Sequence, residues 1–194
     1  VMKTTFIMTI MLLMLSLEAF AQRNNEFAGI PFGASRQTVI EEILKMGYEP
    51  FGQSGEGERI VIPVYMFGEL PVKVDFLFNK NDKFYSFEIR TGRVEQARLG
   101  KAFEAVSYMS EQFTLKYGKS SGVPTITESS ALKDGGIHNV YQNWYGVKTL
   151  DAHTAVVQID NRFFAVGVVV HRKLADEKSV SKKVEKVKSV GPVF

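Results

Sequence analysis

The chain has 194 residues, 45% of them hydrophobic and 23% charged, a balance that suits a globular domain with a real core. It contains no cysteine, which excludes a disulfide framework, a thiolate metal site, a cysteine nucleophile and lipid attachment through an N-terminal cysteine. The net charge of +3 is unevenly spread: residues 22–171 carry 16 basic and 17 acidic side chains and residues 172–194 carry 7 and 3, so the body has no footprint of a nucleic-acid binder.

Lys3 precedes an uncharged run rich in Met, Leu and Ile, and Ala19-Phe20-Ala21 puts small residues where a signal peptidase needs them. Residues 1–21 therefore read as a secretory signal cleaved before Gln22. The uncharged run from Thr4 to Leu17 is 14 residues long, short of the roughly 20 that span a bilayer. The mature chain is expected to be periplasmic or secreted and to have no integral membrane segment.

Ser35 can cap a helix running to about Met46, with Val39, Ile40, Ile43 and Leu44 on one stripe and Gly47 at its end. A glycine-containing loop over residues 51–58 leads to an apolar strand near Arg59 to Met66, and Gly68 and Pro71 mark the next turn. Val72, Val74, Phe76 and Phe78 then alternate with Lys73, Asp75, Leu77 and Asn79, the period of a strand with one buried face. Lys80-Asn81-Asp82 reverses the chain into a strand from Phe84 to Arg90.

The same order recurs in the second half. Leu99, Phe103, Val106, Phe113 and Tyr117 fit a long amphipathic helix from about Val94 to Tyr117, closed by Gly118. After a polar connection from Gly118 to Gly136, strands are expected at Asn139 to Tyr145, His153 to Asp160 and Phe163 to His171. The last is apolar on both sides, which belongs inside a sheet or under a second layer. The expected architecture is an α+β fold of two helix-plus-three-strand units, about 27–92 and 93–171, forming a mainly antiparallel sheet with helices packed on one face. Residues 172–194 form a basic tail, either disordered or a loosely attached helix.

The run Phe27-Ala-Gly-Ile-Pro-Phe-Gly-Ala-Ser35, the helix end Lys45-Met-Gly47 and the segment Phe113-Thr-Leu-Lys-Tyr-Gly-Lys119 resemble segments of uncharacterised exported proteins of Bacteroides-type bacteria. The tandem helix-plus-meander arrangement is similar to the beta-lactamase-inhibitor-like fold and its small outer-membrane assembly relatives. What the resemblance implies is an envelope protein working by contact, with no catalytic residues to carry across.

A search for chemistry finds little. The three histidines, His138, His153 and His171, are separated by 15 and 18 residues, so no metal site is expected. No cofactor is expected either: Gly52 to Gly57 carries Glu56, is followed by Glu58 and leads into a strand, where a phosphate loop needs a helix. Ser129, Ser130, Asp134 and His138 have the residue types of a hydrolase triad but lack a nucleophile elbow. Glu41, Glu42 and Glu88 sit on predicted outer faces, where carboxylates solubilise.

Strict alternation would put Tyr141, Asn143 and Tyr145 on one face of their strand and Trp144 on the other, which offers a contact surface. The plainer reading is that Trp144 fills the core and the tyrosines cover a helix or loop. Three functions follow. The first is a non-enzymatic interaction module contacting another envelope protein through Tyr141, Asn143 and Tyr145, with Trp144 in the same strand. The second is a small-ligand or glycan binder with a pocket between helix and sheet, stacking on Tyr141, Trp144, Tyr145 and Tyr65. The third is a hydrolase whose groups meet only in space.

Overall fold

The computed structural model describes residues 25–52, 59–147 and 149–175. The expected signal peptide and the tail beyond residue 175 lie outside the described residues.

The chain enters through a small hairpin of β1 (Glu26–Phe27) and β2 (Ile30–Pro31). Its two turn residues, Ala28 and Gly29, have φ of 48° and 88°, the left-handed pair that lets a two-residue turn follow the strand twist. Helix α1 (Arg36–Lys45) begins where Ser35 accepts a hydrogen bond from the Thr38 backbone N–H at 3.2 Å. It buries Val39 and Ile43, and Gly47, at φ 83°, turns the chain away.

Strands β3 (Arg59–Phe67), β4 (Leu70–Phe78) and β5 (Phe84–Arg90) form the first meander. Strands β7 (His138–Val147), β8 (Leu150–Ile159) and β9 (Arg162–His171) form the second. The strand order is β3-β4-β5-β9-β8-β7, antiparallel throughout, with β6 (Val94–Glu95) added beside β9. The fold is thus mixed α+β around one large antiparallel sheet. The expected count of two three-strand units is corrected: the sheet has seven strands. The extra strand arises because Val94 and Glu95 join the ladder opposite Phe163 and Arg162. A 3-10 turn (Gln96–Arg98) follows, and the long helix α2 (Leu99–Tyr117) starts five residues later than the expected Val94.

The pleat sorts the sheet residues into two faces. Toward α2 lie Val74, Phe76, Phe87, Ile89, Ala152, Val156, Ala165 and Val169, all in the main core with Val39 and Ile43 of α1 and Phe103, Val106, Met109 and Phe113 of α2. The opposite, outer face carries a smaller cluster of Ala155, Val157, Phe164 and Val166. Gly167 has a packing reason: a Cβ there would lie 2.9 Å from Phe113 and 3.1 Å from Ile89, so the bare backbone lets α2 seat its phenylalanine on the sheet. Ser110 of α2 and Thr154 of β8, both buried, share a hydroxyl hydrogen bond of 2.7 Å across the same interface.

Two irregularities control which side chains reach which face. Between Ile62 and Tyr65, the β3 residues Pro63 and Val64 together oppose Lys73, so Tyr65 pairs with Val72 on the helix side and Val64 turns outward, 63% exposed. Pro63, which has no N–H, is tolerated because β3 is an edge strand. On the other edge, β7 has its break between Val140 and Gln142, where Tyr141 is the extra residue. That edge is covered by the 118–137 connection: Ser121 and Thr125 donate backbone hydrogen bonds to the Asn143 and Tyr141 carbonyls at 2.8 and 3.1 Å.

The described chain ends in a short segment tied to the body. Arg172 pairs with Asp151 at 2.6 Å, and the Leu174 carbonyl accepts from the Asn79 amide at 3.0 Å while its side chain packs on the core. Among the described residues, no helix is long and apolar enough to cross a membrane.

Candidate functional site

The residues singled out in the sequence do not assemble as expected. Tyr141, Asn143 and Tyr145 do not share a face, because the bulge at Tyr141 breaks the alternation on which that expectation rests. Tyr141 packs toward α2, its ring 6.5 Å from Phe103. Asn143 sits opposite His153 on the outer side, and Tyr145 is 64% exposed. Trp144 is a core residue: it is buried, its ring lies 5.6 Å from Phe113, and its indole N–H donates to the Gly118 carbonyl at 2.9 Å, where it closes the end of α2.

The groups with hydrolase residue types are occupied elsewhere. The Ser129 hydroxyl meets Thr127 at 2.9 Å, Ser130 accepts from the Thr127 backbone N–H at 2.9 Å, and Asp134 accepts from the Gly135 N–H at 2.7 Å. His138 Nδ1 instead lies 2.9 Å from His153 Nε2. The Val140–Ala155 pair separates the pairs Asn143–His153 and His138–Val157, so the two rings meet above Ala155, which is fully buried. Burial, and then the nearby His138, lower His153 to about 4. Glu41 and Glu42 bond to Gln37 and Lys45 on the surface of α1, and Glu88 lies opposite Asp75.

The feature that periodicity could not show is a cavity of about 420 Å³ between the C-terminal half of α2, the end of β3 and the β1–β2 hairpin. Six rings wall it: Phe27, Tyr65, Phe67, Phe87, Phe113 and Tyr117. They hold one another edge-on or tilted, with centroids 5.4 Å apart for Phe27–Tyr65, 4.6 Å for Phe27–Phe87, 6.3 Å for Phe67–Phe113 and 5.4 Å for Phe113–Tyr117. Four of the rings arrive by local devices. The left-handed turn at Ala28–Gly29 folds Phe27 back, the bulge at Pro63–Val64 swings Tyr65 inward, and Phe113 and Tyr117 stand four residues apart on one face of α2.

The polar groups at this cavity are few. The Tyr117 ring lines the cavity, but its hydroxyl is closed off from solvent and makes no hydrogen bond. Burial, and then the Glu26 carboxylate, push its phenol well above the ordinary range, so it stays protonated. Lys116 donates to the Glu26 carbonyl at 2.7 Å and is lowered by burial, with Glu26 opposing that effect. Tyr65 is raised by burial. Gln112 and the exposed Leu115 complete the wall on the helix side.

Of the aromatics expected to form a ligand pocket, only Tyr65 reaches this cavity. Tyr141 lines a separate hollow of about 530 Å³ beside Gln142, Ser110 and Pro124. A further hollow of about 510 Å³ on the outer face is bordered by Lys73, Arg90 and Arg93. Lys73 and Arg90 there are committed to Asp75, a buried carboxylate 3.1 and 3.2 Å from them. The sequence signal for the aromatic cavity was faint: Phe113 and Tyr117 share a helical stripe, but nothing local tied them to Phe27 or Tyr65. Among the described residues, no group of three or more His, Asp or Glu side chains could hold a metal ion.

No protein-family model, curated protein or solved structure matches the chain.

Proposed function

We propose that this chain is an exported, non-enzymatic binding protein of the bacterial cell envelope that holds a small molecule in the aromatic cavity between α2 and the sheet. The observation that carries the reading is the hollow itself: about 420 Å³ between α2 and the sheet, lined by six aromatic rings. Export is supported by the leader-like residues 1–21 and by the resemblance of the Phe27–Ser35 and Phe113–Lys119 segments to exported proteins. The finer architecture belongs to the same proposal: two copies of a helix-plus-meander unit, similar to the beta-lactamase-inhibitor-like fold. The order β3-β4-β5-β9-β8-β7 supports it, since each meander contributes its last strand to the central seam.

A fragment screen followed by NMR tests the reading. Ring-bearing fragments should shift the Ala28 methyl and Gly68 amide signals at the cavity wall. Fragments that shift only residues around Lys73, Arg90 and Arg93 would move the site to the outer hollow and end this proposal.

A second reading, contact with another envelope protein, is favoured by the two sheet edges, where Val64 and Met66 of β3 are exposed by 63% and 49% and Tyr145 of β7 by 64%. It expects a partner captured from envelope extract by the wild type to be lost by a folded Val64→Asp, Met66→Asp, Tyr145→Ala variant.

A further inference from the structure

We infer that the hollow on the outer sheet face is a second, separate binding site, one that takes an organic carboxylate: a single anionic head on an apolar body. The hollow, of about 510 Å³, lies where the pairing of β4 with β5 stops. The last pair is Lys73 opposite Arg90, and the same register carried on would set Pro71, which has no N–H to donate, against Gly92. Pro63, Val64 and Pro71, all exposed, form the apolar wall. Lys73, Arg90 and Arg93 form the polar one, and among the described residues no carboxylate lines the hollow. Its volume falls within the range of small-molecule sites.

The three cations are presented to the hollow. Lys73 and Arg90 share Asp75 at 3.1 and 3.2 Å, yet their side chains are 33% and 29% exposed while the carboxylate between them is 1% exposed. Each has donors beyond the one turned to Asp75. Arg93 is exposed and, among the described residues, meets no carboxylate; its guanidinium carbon lies 5.8 Å from the centre of the Phe164 ring. A planar guanidinium offers paired N–H groups that match the two oxygens of a carboxylate. Arg59, 3.9 Å from Asp75, and Glu88, opposite Asp75 on β5, complete the charges on this part of the face. Four cations against two carboxylates leave a positive surplus that draws an anion, and the two acids among them suit a monoanion. Arg93 also borders a hollow of about 470 Å³ beside α2. There Lys101 is paired with Glu104 at 2.7 Å and Glu69 offsets Arg93, so no surplus remains and the anion is directed to the outer face.

This site and the aromatic cavity do not depend on each other, and one titration keeps them apart. The purified full-length chain is titrated with 2-naphthoate, read by NMR at the Val64 methyls and the Lys73 amide for the hollow and at the Ala28 methyl for the cavity. In the comparison ligands, 2-naphthamide keeps the body without the charge and acetate keeps the charge without the body. Naphthoate should shift Val64 and Lys73 saturably, with the amide and acetate each at least tenfold weaker, and added salt should weaken the acid alone. Arg93→Gln should weaken naphthoate about fivefold at an unchanged melting temperature. Arg98→Gln, which removes the same charge from an exposed position outside the hollow, should leave the affinity within about twofold. Equal affinities for acid and amide, acetate matching naphthoate, or equal losses in the two arginine variants would each overturn the inference. So would the absence of saturable shifts at Val64 and Lys73. If the Ala28 methyl moved in their place, the result would support the aromatic cavity while removing this site.

Discussion

Acidification tests the His138–His153 pair most directly. The two ring nitrogens stand 2.9 Å apart over buried Ala155, and burial, followed by the proximity of His138, lowers His153 from its ordinary 6.5 to about 4. Because the folded-state value is depressed, folding favours the neutral ring. Its stabilising contribution is complete above pH 6.5 and is lost as the pH falls toward 4. The gap between those two values corresponds to about 3 kcal/mol when fully expressed, of which about 2–3 kcal/mol should be gone near pH 4.5. The measurement is urea unfolding of wild type and His153→Gln between about pH 7.5 and pH 4.5, where the glutamine can still bond to His138 but does not titrate. Carboxylates common to both proteins cancel in the difference. The wild type's advantage over the variant should shrink by about 2–3 kcal/mol on acidification. A difference that stays constant within about 0.5 kcal/mol would refute the assignment of a neutral, desolvated ring at this position.

Gly167→Ala should destabilise the fold by about 1–3 kcal/mol, because the new methyl meets Phe113 at 2.9 Å and Ile89 at 3.1 Å with little room to yield. The displaced Phe113 lines the aromatic cavity, so ligand binding should weaken with stability, measured by calorimetry on the same samples. Asp75→Ala leaves Lys73 and Arg90, both partly buried, without their shared carboxylate, and chemical denaturation should record a loss of about 2–4 kcal/mol. Tyr141→Ala should cost about 2–3 kcal/mol through its lost packing on Phe103, whereas Tyr145→Ala, at an exposed position, should stay within about 0.5 kcal/mol. Equal melting temperatures for those two variants would contradict the bulge that separates them.

Chain-local features were legible before any coordinates. The alternation from Val72 to Phe78 and the continuous apolar run from Phe163 to Val170 marked strands, and the stripe from Leu99 to Tyr117 marked a helix. Ser35 and Gly47 marked the bounds of α1, and Lys80-Asn81-Asp82 marked a reversal in which Asp82 takes a φ of 56°. These signals survive because each is set by a residue and neighbours a few positions away. The helical stripe alone extends over Val94 and Glu95, and their place in the sheet is invisible locally because their pairing partners, Phe163 and Arg162, lie far along the chain.

The site was decided at longer range. Strict period-two alternation would have put Tyr141 with Tyr145 and kept Tyr65 on the outer side with Pro63. One extra residue in β7 and one in β3 reverse both assignments, sending Tyr141 to Phe103 and Tyr65 to Phe27. A bulge depends on the register with a neighbouring strand, and a shift of one residue exchanges the faces of everything beyond it. The amino-acid pattern by itself determined that these segments would be strands packed under a helix. Only the tertiary pairing decided which rings would meet around Tyr117, because the meeting joins residues 27, 65, 67, 87, 113 and 117 through contacts that no local period encodes.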